Sequence, residues 1–283
     1  DEALNRLASN TNNSFVNGGI VPLGGGTNLV VDLRAGLGSP TGLVGLSNIP
    51  ELRYIRIDDY QIAIGSGTTV SDMIRHDKLK DAAPSLAESA RLFAGLMVRN
   101  TATLAGNICC GSPAADLMPP LLVLDAELRL TSKSGHRSLP VAEFYVGFKE
   151  NQLKPDELVT EISFPIPSSN SINSFYKLAR RKGDAITVTG VAIAVDFEGD
   201  VCSRARIALG AVAPTVKRAT EAEDILIGKP LTQDLITAAA EKAITETSPI
   251  DDVRASAEYR SHCVGVLTRR LLTQALESNS QER

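Results

Sequence analysis

Tryptophan is absent from this 283-residue chain, and aromatic residues make up only 4% of it. That scarcity argues against a surface built from stacking platforms for nucleobases. The 29 lysines and arginines are scattered and are outnumbered by 33 acidic residues, for a formal net charge of -4. Nucleic acid is therefore not an expected partner. No apolar run reaches the roughly 18 to 20 residues of a membrane helix, so no membrane span is expected. The most apolar stretch, residues 186–197, is interrupted by Thr187, Thr189 and Gly190 and reads as a buried strand. No signal peptide is visible. The chain opens at Asp1 within a helical pattern, so a few upstream residues are expected, and the missing signal carries little weight.

Cysteines are few: Cys109, Cys110, Cys202 and Cys263. The adjacent pair cannot close a normal disulfide, and no C-x-x-C or His/Cys cluster is present. Structural zinc, or an iron–sulfur cluster held by this chain alone, is not expected, and no residue is assigned as a metal ligand. A reducing, cytoplasmic setting fits this usage.

What is present is apolar bulk, 43% of residues, in a chain long enough for two or three subdomains. Residues 1–8 carry Ala3, Leu4, Leu7 and Ala8 on one helical face. An apolar segment, a run of glycines and the short element 30–33 follow, in the order an α/β unit requires. Residues 52–57 and 61–64 read as a hairpin, and Thr68 or Thr69 can cap a helix through Arg75. Residues 84–97 are apolar at helical spacing, 100–113 read as a loop, 117–124 as a buried helix or strand, and 127–131 as a strand. The Pro-rich polar run 165–173 is the best linker. Beyond it come strands at 175–178, 187–197 and 204–211, then helical patterns at about 216–227, 231–246 and 257–277. Strands first and helices afterwards predict an α+β domain of one antiparallel sheet covered by helices.

Three glycines in a row, Gly24, Gly25 and Gly26, form the sharpest feature. They permit positive φ, remove every Cβ that would block a ligand, and let successive N–H groups face an anion such as a diphosphate. A plain tight turn is the alternative. Neither the Walker pattern nor G-x-G-x-x-G fits. A second small-residue cluster spans Thr101, Ala102, Thr103, Leu104, Ala105, Gly106, Asn107 and Ile108. The two together suit the two sides of one diphosphate. Asp116 lies where an apolar helix begins and locally reads as a cap or first-turn carboxylate. The cationic run Lys177, Arg180, Arg181 and Lys182 reads as a solvated strand edge, or else as charge compensation for a reduced flavin. His76, His136 and His262 lie in no motif and are read as surface or structural residues.

The run Pro22-Leu23-Gly24-Gly25-Gly26-Thr27-Asn28-Leu29, then Thr103-Leu104-Ala105-Gly106-Asn107-Ile108, then Ser112-Pro113-Ala114-Ala115-Asp116-Leu117 resembles the FAD-binding medium subunit of the molybdenum hydroxylases. That is the xanthine dehydrogenase and carbon monoxide dehydrogenase family. The likeness extends through Leu158-Val159-Thr160-Glu161-Ile162 and Phe175-Tyr176-Lys177-Leu178-Ala179-Arg180-Arg181. It implies an α+β chain: a two-lobed FAD-binding domain of the vanillyl-alcohol-oxidase type (lobes 1–50 and 51–167) and a smaller α+β domain at 172–283. It further implies that Pro22 to Leu29 and Thr103 to Asn107 hold the FAD diphosphate. Phe93 and Asp116 would contact the cofactor, Val159 (or Leu158) and Lys177 would lie near the flavin ring, and Cys109 would stand where the family has an aliphatic residue against it. Ala105 departs from a commoner glycine, and the Cys109-Cys110 pair is unusual.

By the same resemblance, a large subunit with a molybdenum-pterin cofactor oxidises the substrate and a small subunit with two [2Fe-2S] clusters relays electrons. This chain's FAD passes them to an external acceptor, in a dimer of heterotrimers, and no catalytic residue is expected on the chain itself. The alternatives are a stand-alone FAD reductase of the UDP-N-acetylenolpyruvoylglucosamine reductase type and a scaffold subunit lacking FAD.

Overall fold

The computed structural model describes residues 1–10 and 18–281. Two buried faces explain the longest apolar run in the sequence. The strand Thr187–Glu198 is the second of three long antiparallel strands, between Ser171–Ala179 and Val201–Gly210. Its Val191, Ile193 and Val195 face one core, while Ala192 and Ala194 face another. A strand buried on both sides needs no polar alternation. The helices Thr220–Leu226, Gln233–Thr245 and Ala257–Gln281 complete this carboxy-terminal unit, and Ala222, Ile236, Ala239, Val264, Leu267 and Leu271 fill its core.

The other face of that sheet joins the largest core of the molecule through Phe175, Ala192, Ala194, Ala208 and Val216. Small alanines at this seam let helix Met118–Val123 approach closely, and each buried valine or leucine contributes about 1.5–3 kcal/mol of transfer free energy. The rest of that core belongs to a five-stranded antiparallel sheet. Its order is Ile55–Ile57, Gln61–Gly65, Leu158–Pro165, Glu127–Ser132, Gly135–Pro140. The last of these five strands in chain order thus inserts at the centre, and the sheet buries Ile62, Ile64, Leu128, Leu130, Ile162 and Phe164.

The amino-terminal lobe is smaller. Strands Ile20–Leu23 and Gly42–Gly45 pair in parallel, joined through the helix Leu29–Arg34. Helix Glu2–Leu7 packs Ala3 and Leu7 against Val44 and against Leu158, lent by the second lobe. The element read at residues 30–33 is therefore helical.

Several expectations need correction. The helical pattern at 84–97 breaks in two, Pro84–Leu92 and Leu96–Arg99, with Phe93 extended and Ala94 at φ 34. Residues 104–109 form a helix rather than a loop, because Thr103 supplies an N-cap. The linker shrinks to 166–170, since both flanking strands run into the Pro-rich segment. Thr69, not Thr68, caps Val70–Arg75, in a reciprocal capping box with Asp72. Among the described residues no helix is long and apolar enough to cross a membrane.

Candidate cofactor site

The glycine run begins where strand Ile20–Leu23 leaves its parallel partner. Gly26 sits at φ +70, a region where a Cβ is strained. Gly25 is a glycine for a different reason. A Cβ there would stand 1.8 Å from the Thr101 carbonyl oxygen. The two loops are pressed together backbone to backbone. At Gly24 a Cβ would come within 3.0 Å of Thr103 Oγ1. The reading that all three glycines clear a path for a ligand is corrected at Gly25, whose missing side chain makes room for the second loop.

Among the described residues, the backbone N–H groups from Gly24 to Leu29 have no acceptor within the protein. Native structures rarely leave a run of backbone donors unpaired away from solvent, and Gly24, Gly25, Gly26 and Thr27 are half-buried. Successive open donors on a glycine turn make an anion-binding concavity. Pro22 and Leu23 form its strand edge. Asn28 turns outward and donates from Nδ2 to Asp32 Oδ2 at 2.9 Å.

The second cluster is differently built. Thr103 Oγ1 accepts from Gly106 N–H at 3.0 Å. Leu104 N–H donates to the Thr68 carbonyl and Asn107 N–H to that of Thr103, each at 3.0 Å. Asn107 Oδ1 accepts from Leu117 N–H at 3.2 Å and so fastens the helix to the Asp116 segment. Ala105 is buried in the first helical turn, outside the left-handed region, so its methyl brings no backbone strain.

Cys109 packs against the large core, and burial pushes its thiol up to about 12, with Cys110 adding to the rise. The Cys110 thiol, also raised by burial, donates to the Asn107 carbonyl at 3.0 Å. Both are neutral at pH 7 and chemically quiet.

Asp116 does not cap a helix. Helix Met118–Val123 has Leu117 at its N-cap and no side-chain cap. The Asp116 carboxylate is 7% exposed and accepts from Lys177 Nζ at 2.7 Å on Oδ2 and from Thr187 Oγ1 on Oδ1. Burial pushes this carboxyl up, while the Lys177 charge and the two hydrogen bonds pull it back. Lys177 is likewise no solvated edge residue. Its side chain is buried and also donates to the Leu92 carbonyl at 3.2 Å, one residue before Phe93. Arg180, Arg181 and Lys182, by contrast, are exposed.

Phe93 is half-buried against the core, and its carbonyl accepts from Arg99 Nε. Val159 is 4% exposed, opposite Leu130 in the five-stranded sheet, and faces the core. The structure thus joins the two loops to each other, and joins Asp116, Lys177 and the Leu92–Phe93 turn. Val159 stays within the packed interior. Two participants escaped the sequence reading: the Thr101 carbonyl and the Thr187 hydroxyl. Thr187 had a signal, a hydroxyl interrupting a buried apolar run, because a buried polar group needs a partner.

The family model for the FAD-binding domain of molybdopterin dehydrogenases matches residues 1–167, and that for the carbon monoxide dehydrogenase flavoprotein carboxy-terminal domain matches 174–275. The medium chain of carbon monoxide dehydrogenase from Hydrogenophaga pseudoflava is 33% identical over 253 residues, 89% of this chain and 88% of that protein. A xanthine dehydrogenase FAD-binding subunit, described as putative, from Escherichia coli K12 is 31% identical over 277 residues, 97% and 92% of the two chains. Among solved structures, a carbon monoxide dehydrogenase from Hydrogenophaga pseudoflava that lacks the Mo-pyranopterin moiety superposes with a TM-score of 0.91 at 32% identity, covering 98% of this chain and 94% of that one. With its glycine loop, its α+β architecture and these matches along nearly its whole length, the chain belongs to the FAD-binding medium subunits of the molybdopterin dehydrogenases.

Proposed function

We propose that this chain binds FAD between its two glycine-bearing segments and acts as the electron-transfer flavoprotein of a heteromeric molybdenum-containing dehydrogenase. The observation that carries the reading is the row of open N–H groups from Gly24 to Leu29, set against Thr101 and Thr103. A hydrogen bond to a charged acceptor contributes about 1.5–3 kcal/mol, so several such donors suffice to anchor a diphosphate. Pro22 to Leu29 would take one side of it, and Thr103, Leu104, Ala105, Gly106 and Asn107 the other. The donors of the second side are fewer, because helix Leu104–Cys109 uses most of its own.

FAD when bound supplies the redox chemistry, which no side chain here provides. The chain's residues bind it, orient it and set its electrostatics. Phe93 and the neutral thiol of Cys109 offer apolar, polarisable surface, and Val159, buried in the core, would serve only as backing for it. The Asp116–Lys177 pair sets a fixed charge arrangement beside Phe93. Electrons would come from [2Fe-2S] clusters on a small subunit, after substrate oxidation on a large subunit carrying the molybdenum-pterin cofactor, and would leave to an external acceptor. In this reading the lobes are residues 1–50 and 51–167, the carboxy-terminal domain is 172–283, and the complex is a cytoplasmic dimer of heterotrimers. Support comes from relatives described as medium chains or FAD-binding subunits.

The test is a visible spectrum of the purified chain, with mass identification of any released flavin. Near-stoichiometric FAD with an absorbance band at about 450 nm is expected. Colourless protein that takes up no FAD on titration would overturn the reading.

A further inference from the structure

The segment carrying Asp116 is gripped from two sides by the carboxy-terminal domain. On one side, Ala211 N–H donates to the Pro113 carbonyl at 2.7 Å. On the other, Thr187 Oγ1 donates to the Asp116 carboxylate. The carbonyls of these same two residues are held in turn. Arg260 Nη1 donates to the Ala211 carbonyl at 3.0 Å and to that of Val188 at 2.7 Å. Arg254 Nη1 donates to the Thr187 carbonyl at 3.3 Å. Both guanidiniums converge on one carboxylate. Asp252 Oδ1 accepts from Arg260 Nη2 at 2.7 Å, and Oδ2 from Arg254 Nε at 2.9 Å and Nη2 at 2.5 Å.

This bracket has features that plain surface ion pairs lack. Arg260 is 2% exposed, among the largest fully buried side chains in the protein. Ala211 holds a left-handed backbone at φ 63, a conformation costly for a residue with a Cβ and kept only where its surroundings impose it. Arg254 brings two N–H groups to one carboxylate oxygen and Arg260 one to the other, and such charge-assisted bonds are stronger than neutral ones. Arg180 Nη1 also reaches the Val253 carbonyl at 3.0 Å, tying the same turn to the strand that bears Lys177.

We propose that Asp252, through Arg254 and Arg260, is a positioning residue for the Asp116–Lys177 pair and so tunes the affinity and potential of bound FAD without touching it. The inference rests on the FAD-binding reading above. Without Asp252, Arg254 has no anchor from which to hold Thr187, and the Thr187 hydroxyl is freed to leave Asp116. The carboxylate then rests on Lys177 alone, and the charge arrangement beside Phe93 changes.

The experiment compares full-length wild type, Asp252→Asn, Arg254→Lys and a control, Asp125→Asn. Asp125 is a second ionic hub, bonded to Arg204, Arg206 and Arg218, and among the described residues its carboxylate bonds to none of residues 113–117. For each, FAD affinity, flavin absorption maxima, midpoint potential by spectroelectrochemistry and melting temperature are measured. Asp252→Asn should weaken FAD at least about fivefold, the equivalent of one hydrogen bond, and shift the spectrum or the potential. Arg254→Lys, which keeps charge but loses the fork, should shift them in the same direction by less, and reports if Asp252→Asn does not fold. Asp125→Asn should lower the melting temperature and leave spectrum and potential in place. Asp252 and Arg254 variants with wild-type potential and spectrum, or changes matched by Asp125→Asn, would overturn the proposal. Failure of wild type itself to bind FAD would instead remove the parent reading.

Discussion

The two glycine-bearing segments look alike in sequence and differ in construction. Among the described residues, Gly24 to Leu29 leaves its N–H groups open, whereas Leu104, Gly106 and Asn107 spend theirs on Thr68 and Thr103. In the proposed reading the first is the main receptor, made of backbone. The second is a capped helix that serves mainly as its platform, with few donors left for the other side of the diphosphate, and touches it where Gly25 meets Thr101. Composition alone does not make an anion site: what distinguishes the two is where the backbone donors already go. Damage to the platform should therefore cost stability and damage to the receptor should cost affinity, and the variants below separate the two.

The largest loss is expected from Lys177→Met, which strips the buried partner from Asp116 at the far end of the platform. Breaking one side of a buried ion pair costs about 3–5 kcal/mol, so denaturant unfolding of the apo chain should show a lowered midpoint. Thr103→Ala removes the N-cap beneath the second segment and should cost about 1 kcal/mol, read in the same assay, with a smaller effect of Thr103→Ser.

Acid should also act on the platform. Asp72 closes the capping box that sets Thr68 and Thr69 under Thr103 and Leu104. Burial raises its carboxyl, but the bonds from Arg53 and Thr69 outweigh that, and the net shift is downward. A folded-state pKa below the unfolded one means stability that is present above the ordinary carboxylate range and lost as pH falls through the folded value. Melting temperature should decline below about pH 4, and Asp72→Asn should start lower and fall less steeply. Arg53 is largely exposed, so screening keeps this contribution small. The smallest effect belongs to Ala105→Gly, which should cost roughly 0.5–1 kcal/mol of helix stability, with FAD affinity little changed. A large gain in affinity there would show that the second segment holds more of the diphosphate than its few open donors imply.

Much of this was legible in the chain itself. The strand at 187–197, the helical patterns after 216 and the Gly24–Gly26 turn follow from apolar periodicity and glycine stereochemistry, and the motif order identified the family. The second segment misled because small residues read as loop, while the cap that makes it helical is a single threonine. Asp116 and Lys177 misled more deeply. In its own window Asp116 reads as a cap and Lys177 as a solvated edge, and only the docking of Ser171–Ala179 against helix Pro84–Leu92 and the Asp116 segment buries both. A contact across 61 positions leaves no local trace. Gly25 carried a signal whose cause could not be read, because a turn, a ligand and a neighbouring carbonyl all ask for the same missing Cβ.

The most direct test of receptor against platform is Gly25→Ala, followed by FAD titration and by melting of the FAD-free chain. The 1.8 Å approach to Thr101 implies that the methyl forces the loops apart. Both FAD affinity and the melting temperature of the apo protein should fall. An apo Gly25→Ala chain that melts like wild type while losing FAD would contradict this account and return Gly25 to the ligand.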